Sequence, residues 1–222
     1  MKKAIITLIV IIIIGYTAFT YFTRKPSAPS TDISTVPEQL QATTTEKLYR
    51  ISSDTSIVSF KIDEILNNKA STAIGTTSQI AGDIKFGKDS VTMGTIAINA
   101  KTFKTGSEKR DGAITRAILK SEDPANEFIY FKPAPISGLP SLNEASSTLA
   151  FTVMGDLTIS GVTKQIPFAI NLKIEGSILS GIATAKIKRS DFKLVIPSVP
   201  LVASVDDEFT VSANISAQEI TQ

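Results

Sequence analysis

The chain has 222 residues, of which 42% are hydrophobic and 20% charged, and its formal net charge is +2. This length and composition predict one substantial folded domain with accessory segments, and the near-neutral, interspersed charge argues against a nucleic acid partner. There is no Cys and no His, which excludes disulfides, thiol chemistry and the commonest zinc ligand, haem ligand and general base. We therefore expect no metal, no cofactor and no catalysis.

Residues 1–22 form the first predicted element. Lys2 and Lys3 precede an uncharged run from Ala4 to Phe22, and a helix needs about 20 apolar residues to cross a bilayer. Because the run has no good cleavage site, we predict an uncleaved signal anchor, with a cleaved signal peptide as the alternative. The predicted localisation is the membrane, single-pass, with the C-terminal domain extracytoplasmic, either periplasmic or at the cell surface.

Residues 23–47 are rich in Ser, Thr and Pro and show almost no apolar periodicity. Such a composition cannot bury a core and is typical of a flexible or semi-extended spacer. We therefore predict a linker over 23–47 and a folded domain over 48–222.

The folded domain begins where the pattern changes to alternation with a period of two, which is typical of strands with one buried face. Alternating apolar residues predict strands over Ile57–Ile65, Ile80–Phe86, Val91–Ala100, Phe128–Ile136, Leu149–Ile159, Ile166–Ile174, Ile178–Lys188 and Phe209–Ala217.

One segment has helical rather than alternating spacing. Ala113, Ile114 and Ile118 lie on one face of a predicted helix over Ser107–Ser121, with Ser107 as the N-cap. About eight strands and one short helix, joined mostly by tight turns, predict an antiparallel barrel or a sandwich.

Four groups of residues then occur in a familiar order. They are Gly82-Asp83-Ile84-Lys85-Phe86 after Tyr49-Arg50-Ile51, Thr105-Gly106 leading to Arg110-Asp111, the segment from Gly155 to Lys164, and Arg189-Ser190-Asp191-Phe192. Together they resemble the YceI-like family of lipid- or polyisoprenoid-binding proteins, from Tyr49 to about Gln218. Lys193 stands where that family usually has Gly, and Ser160 where it commonly has His.

The resemblance implies an all-β fold: an antiparallel eight-stranded lipocalin-like β-barrel with one short helix, here preceded by an N-terminal transmembrane helix. It also implies a long hydrophobic pore for a polyisoprenoid or fatty-acyl chain. Candidates for its lining are the alternating apolar residues Phe60, Ile62, Ile84, Phe86, Ile96, Ile98, Phe131, Phe151, Val153, Leu157, Phe168, Ile170 and Leu172. The alternation alone is equally compatible with a filled, dry core.

Charged residues near the predicted strand ends are the remaining candidates for a site. Arg110 with Asp111, and Arg189 with Asp191, either contact a polar head group at the pore mouth or form structural ion pairs, and structural ties are the commoner outcome. The acidic run Asp206-Asp207-Glu208 lacks the spaced oxygen ligands of a calcium loop.

Three functions remain open. The first is a membrane-tethered module that stores, carries or presents a long-chain isoprenoid or fatty-acyl lipid, with a second copy of the chain as a candidate homodimer partner. The second is a hydrolase using carboxylates such as Asp111 and Asp191, or Ser–Lys acyl chemistry, and no Gly-x-Ser-x-Gly nucleophile elbow supports it. The third is a structural or adhesive β-domain on a stalk.

Overall fold

The computed structural model describes residues 30–43, 45–87, 90–136, 146–198 and 202–220, and the predicted signal anchor lies outside these ranges. In this part of the chain, no helix combines the length and apolar character that crossing a bilayer requires. All the strands described belong to one antiparallel sheet of thirteen segments. They are β1 Lys47–Ile51, β2 Ile57–Leu66, β3 Lys69–Thr77, β4 Ile80–Ala81, β5 Asp83–Phe86, β6 Val91–Met93, β7 Ile96–Asn99, β8 Phe128–Pro133, β9 Ser146–Ile159, β10 Val162–Glu175, β11 Ile178–Lys188, β12 Val202–Val205 and β13 Glu208–Ile220.

The predicted fold class is confirmed in its all-β, antiparallel character, but the strand count differs. Thirteen segments replace the predicted eight because two predicted strands are each interrupted, and because β1, β3 and β12 were not among the predicted strands. Gly82 separates β4 from β5, and Gly94-Thr95 separates β6 from β7. Interruptions of this kind re-aim a strand, which helps a sheet to curl.

The strand pairs connect both ends of the sheet. β13 pairs with β11 on one side and with β1 and β2 on the other. β1 pairs with β5, and the Ile51 N–H donates to the Gly82 carbonyl, where β4 meets β5. Since β4 in turn pairs with β7, and β7 with β8, the pairs return towards β11 and curl the sheet into a barrel.

The two ends of this barrel differ. At the first, which we call the helix end, lie α1 (Glu108–Ala113), the π-helical turn Ile114–Ile118 and the turn between β9 and β10. The second, the turn end, carries the β10–β11 turn, the start of β1 and the end of β13. Because neighbouring strands run antiparallel, the loops that connect successive long strands lie at alternate ends of the barrel.

The helix departs from its predicted form. Ser107 occupies the N-cap position but makes no side-chain capping bond, and the α-helix covers only Glu108–Ala113 of the predicted Ser107–Ser121. A π-helical turn follows, and its Ile114 is buried. Ser160 donates to the Leu119 carbonyl at 2.7 Å, which ties the β9–β10 turn to the residues after the helix.

The strand β3 is absent from the predicted elements. Its inward positions are Ala73, Gly75 and Thr77, so they give no pattern of large apolar residues. The reason is Phe60 on β2: a Cβ at Gly75 would lie 2.2 Å from its ring. The connecting residues Asn67 and Asn68 both have positive φ, as a two-residue hairpin turn requires.

Residues 30–43, which lie within the predicted linker 23–47, pack on the outside of the barrel instead of forming a free spacer. We call them the strap. Ile33 is 4% exposed in an outer apolar cluster with Ala81 and Ala97. Further along, the Leu40 N–H donates to Asp83 at 2.9 Å. Local composition could not predict this docking, because the strap's partners lie far away in the chain.

Glu127 binds the N-terminal end of the strap. Its carboxylate accepts the Ser30 hydroxyl and the Thr31 N–H, each at 2.9 Å, and pairs with Lys101 at 3.1 Å. Burial alone would raise the pKa of Glu127, but these bonds outweigh burial and hold the pKa below its usual range. The Asn99 amide also donates to the Ser30 hydroxyl. This buried polar contact lies at the helix end of the barrel.

Candidate ligand-binding interior

The inner face of the barrel is apolar. On β9, for example, Leu149, Val153 and Leu157 are buried, whereas Thr152 and Asp156 between them are exposed. The buried apolar residues of the inner face form one contiguous group, the interior cluster. It comprises Tyr49, Ile51, Val58, Ile80, Ile84, Phe86, Val91, Ile96, Ala100, Phe103, Ile114, Leu119, Ile129, Phe131, Leu149, Val153, Leu157, Ile159, Ile166, Ile170, Leu172, Leu179, Ala185, Ile187, Phe192, Leu194 and Ala217.

The predicted lining residues can be located against this cluster. Eight of them belong to it: Ile84, Phe86, Ile96, Phe131, Val153, Leu157, Ile170 and Leu172. Phe60, Ile98, Phe151 and Phe168 are partly exposed and pack against it. Ile62, which is also partly exposed, lies outside this group. Their assignment as the lining of a pore stays a prediction.

The inner face of β13 differs from that of β9. Phe209, Val211, Ala213 and Ile215 all pack against the interior cluster, yet all four remain partly exposed. Ala183 on β11, paired with Ala213, is also partly exposed. Because protein interiors are close-packed, inward apolar side chains that keep accessible surface are candidates for contact with a bound molecule. The predicted lining set omitted β11 and β13, although their alternation was visible in the sequence.

Aromatic contacts and one glycine shape other parts of the inner face. The rings of Phe131 and Phe168 lie 4.8 Å apart, and those of Phe60 and Phe103 lie 5.6 Å apart. A Cβ at Gly155 would lie 2.5 Å from the Phe131 ring. The glycine in the Gly155–Lys164 segment therefore leaves room for the Phe131 ring to pack closely against β9.

Each end of the interior is closed differently. At the turn end, Tyr49 is fully buried and packs edge-on to Phe86 at 5.7 Å, and burial raises the pKa of its phenol. At the helix end, Ile114, Leu119 and Phe192 are buried and belong to the interior cluster. The π-helical turn thus supplies apolar cover for that end of the barrel.

The first predicted charged pair separates into two structural contacts. Arg110 donates to Glu64 at 2.8 Å, and the Glu64 side chain is 5% exposed. Asp111 accepts the Thr105 N–H at 2.8 Å and its hydroxyl at 2.7 Å. Burial alone would raise the pKa of Asp111, but these hydrogen bonds and nearby Lys104 lower it. Both groups therefore hold the helix end together.

The second predicted pair also separates. Arg189 lies 3.9 Å from Asp207 and donates to the Asp206 carbonyl, whereas Asp191 is exposed. Asp207 accepts the Ser190 hydroxyl at 2.6 Å, and hydrogen bonds from Ser190 lower its pKa. Within the described ranges, no three or more acidic side chains are grouped so that they could hold a metal ion.

Lys193 accounts for one departure from the family pattern. It has φ of +56°, in the left-handed region that glycine adopts without strain. The chain therefore keeps the backbone conformation of a glycine at the position where the family usually has one.

A curled antiparallel β-sheet around an apolar interior defines the class of the protein as an all-β barrel. A family comparison matches residues 49–217 to the YceI-like domain. The chain belongs to the YceI-like family, and this confirms the resemblance found in the sequence.

Solved structures show the same fold. A polyisoprenoid-binding domain from Saccharophagus degradans has a TM-score of 0.63 and 14% identity, covering 78% of this chain and 98% of that one. BcnA from Burkholderia cenocepacia has a TM-score of 0.58 and 16% identity, covering 76% of this chain and 99% of that one. No curated protein sequence matches the chain.

Proposed function

We propose that the protein is a membrane-tethered, extracytoplasmic binding protein that holds one long apolar lipid, a polyisoprenoid or fatty-acyl chain, inside its barrel. It stores, carries or presents this lipid and performs no catalysis. In this proposal the thirteen segments together form the eight strands of a lipocalin-like barrel, a size that encloses one slender ligand. The apolar run over 1–22 supplies the tether.

The observation that carries the proposal is the partly exposed inner face of β13. A lipid tail has no directional chemistry and is held by burial of apolar area, at roughly 25 cal/mol per Å². Phe209, Val211, Ala213 and Ile215 offer such area along more than half the length of β13. A relative whose solved structure is named a polyisoprenoid-binding domain supports the choice of cargo.

The two alternatives receive less support. A purely structural β-domain gives no reason for four consecutive inward positions of β13 to keep accessible surface. A carboxylate-based hydrolase would need free carboxylates near the interior, but Asp111 already accepts two bonds from Thr105. The chain has no His to serve as a base in place of a carboxylate.

The test is to purify the full chain from membranes in mild detergent, extract it with organic solvent and identify lipids by mass spectrometry. We expect a long-chain lipid in near-stoichiometric amount. A Val211→Glu variant should lose it, because a charge in an apolar interior is costly. The matched Ser212→Glu variant changes the neighbouring, outward position and should retain it.

The other functions predict different results. Lipid content equal in the wild-type chain and both variants would refute interior binding and favour the structural alternative. Turnover of ester or glycoside substrates, abolished by Asp111→Asn, would instead favour the hydrolase.

A further inference from the structure

The strap runs along the barrel from one end to the other. Glu46, just before β1, pairs with Lys85 at 3.1 Å near the turn end. Leu40 then contacts Asp83, Ile33 lies against Ala81, and Ser30 reaches Glu127 at the helix end. The first described residue, Ser30, therefore lies at the helix end of the barrel, although β1 starts at the turn end.

Chain length then decides which end of the barrel can reach a bilayer. Only residues 23–29 separate Phe22, the last residue of the predicted anchor, from Ser30. Those eight Cα–Cα steps span at most about 29 Å when fully extended. Strand β10 has 14 residues, which at roughly 3.3 Å per residue and a typical barrel tilt gives a length along the axis of about 35 Å.

We infer that the docked strap orients the domain with its helix end towards the membrane, so that α1 and the residues around it form the bilayer-facing surface. A domain standing on its turn end would place Ser30 about 35 Å from the bilayer, beyond the reach of about 29 Å that the spacer allows. The partner of this surface is the lipid headgroup layer in which the chain is anchored.

The helix end has side chains suited to that contact. Val195 is 70% exposed, the highest exposure among the large apolar side chains described, and it lies in the connection between β11 and β12. Lys109 on α1 and Lys104 before it are also exposed. Apolar and cationic side chains are the types that insert into, and attract, the headgroup region.

The orientation depends on the strap staying docked on the barrel. Released from the barrel, the strap would lengthen the spacer by its 14 residues, and a flexible chain of that length allows either end to face the bilayer. Ile33 and Glu127, the apolar and polar anchors of the strap, are therefore positioning residues. This inference rests on the tether of the proposed function but not on the lipid cargo.

The test uses the full chain, which has no native Cys, reconstituted into vesicles of equal parts phosphatidylcholine and phosphatidylglycerol. A donor dye is placed on Lys109→Cys at the helix end or on Ser177→Cys at the turn end, with acceptor dyes on lipid headgroups. We expect energy transfer from Lys109→Cys to exceed that from Ser177→Cys about two-fold or more, because the ends lie roughly 35 Å apart.

Variants of the strap provide the second readout. Ile33→Ser should bring the two transfer efficiencies together, whereas Gln39→Ser, a change at an exposed strap residue, should leave their ratio unchanged. Glu127→Gln loosens the same strap from the barrel side and serves if Ile33→Ser fails to fold, as judged by circular dichroism.

Three outcomes overturn the inference: transfer from Ser177→Cys that equals or exceeds that from Lys109→Cys, a ratio insensitive to both strap variants, or a chain that does not float with vesicles. The lipid content of the same preparations is measured separately. Its absence would refute the cargo while leaving the orientation intact.

Discussion

A phenylalanine in place of Ala183 distinguishes a filled barrel from an open one. Ala183 is inward and partly exposed, opposite Ala213. In a close-packed core this enlargement costs about 1–3 kcal/mol of unfolding free energy. Beside an open space, the ring buries roughly half of its ~200 Å², a gain of about 2.5 kcal/mol at ~25 cal/mol per Å².

In the lipid-free protein, Ala183→Phe therefore lowers the free energy of unfolding if the barrel is filled and raises it if the barrel is open. We expect Ala183→Phe to raise the melting temperature by about 5–10 °C, since 1 kcal/mol corresponds to roughly 2–4 °C for a chain of this size. It should also weaken binding of a fluorescent polyprenyl probe more than about 100-fold. A ring that displaces about four chain carbons removes ~0.8 kcal/mol for each, or about 3 kcal/mol in total.

Ile182→Phe is the control for both measurements. Ile182 is the neighbouring, outward residue and is 38% exposed, so its enlargement should change neither stability nor probe affinity appreciably. Thermal unfolding followed by circular dichroism and a fluorescence titration provide the data. Destabilisation of the lipid-free protein by Ala183→Phe would refute the open interior.

Three further predictions concern the frame of the site. Gly155→Ala should lower the unfolding free energy by about 1–3 kcal/mol, measured by urea denaturation, because its Cβ would lie 2.5 Å from the Phe131 ring; an unchanged midpoint would show that the ring moves aside. Arg110→Ala should lower the free energy of unfolding by about 3 kcal/mol, because it leaves buried Glu64 without its cation. Adding Glu64→Gln to this variant should restore part of the lost stability. No recovery in the double variant would contradict the assigned pair. The lowered pKa of Glu127 means that its contribution to strap docking is present above pH ~4.5 and is lost as the pH falls through the pKa of the folded state. The strap amides should therefore be less protected from deuterium exchange at pH 3 than at neutral pH, after correction for the intrinsic exchange rates. Glu127→Gln should abolish this loss of protection at pH 3.

Much of the fold follows from local pattern. The alternation of Ile178–Lys188 predicted β11 with its observed bounds, and the alternation of β9 and β10 located the apolar inner face. β3 was missed because Gly75 faces the Phe60 ring, so the volume that a large apolar residue would mark in the sequence is supplied by another strand. Such complementary packing cannot be recognised from one strand alone.

The candidate site was predicted less completely. Phe131 and Val153 were expected on the inner face and lie there, but alternation also fits a filled core and gave no measure of accessible space. The partly exposed face of β13 is a property of how all the strands close around the interior. The strap was interpreted as a spacer because one buried Ile33 and the distant acceptor Glu127 leave no periodic signal.

Photo-crosslinking tests the central claim most directly. A polyprenyl analogue carrying a diazirine on its tail is bound to the full chain, irradiated, and its adducts are located by peptide mass spectrometry. The account predicts adducts on the inward residues of β13, Phe209, Val211, Ala213 and Ile215, and on Phe151 and Phe168 across the interior. Adducts confined to outward residues such as Ile182 and Met154, or spread evenly over both faces of β13, would contradict it.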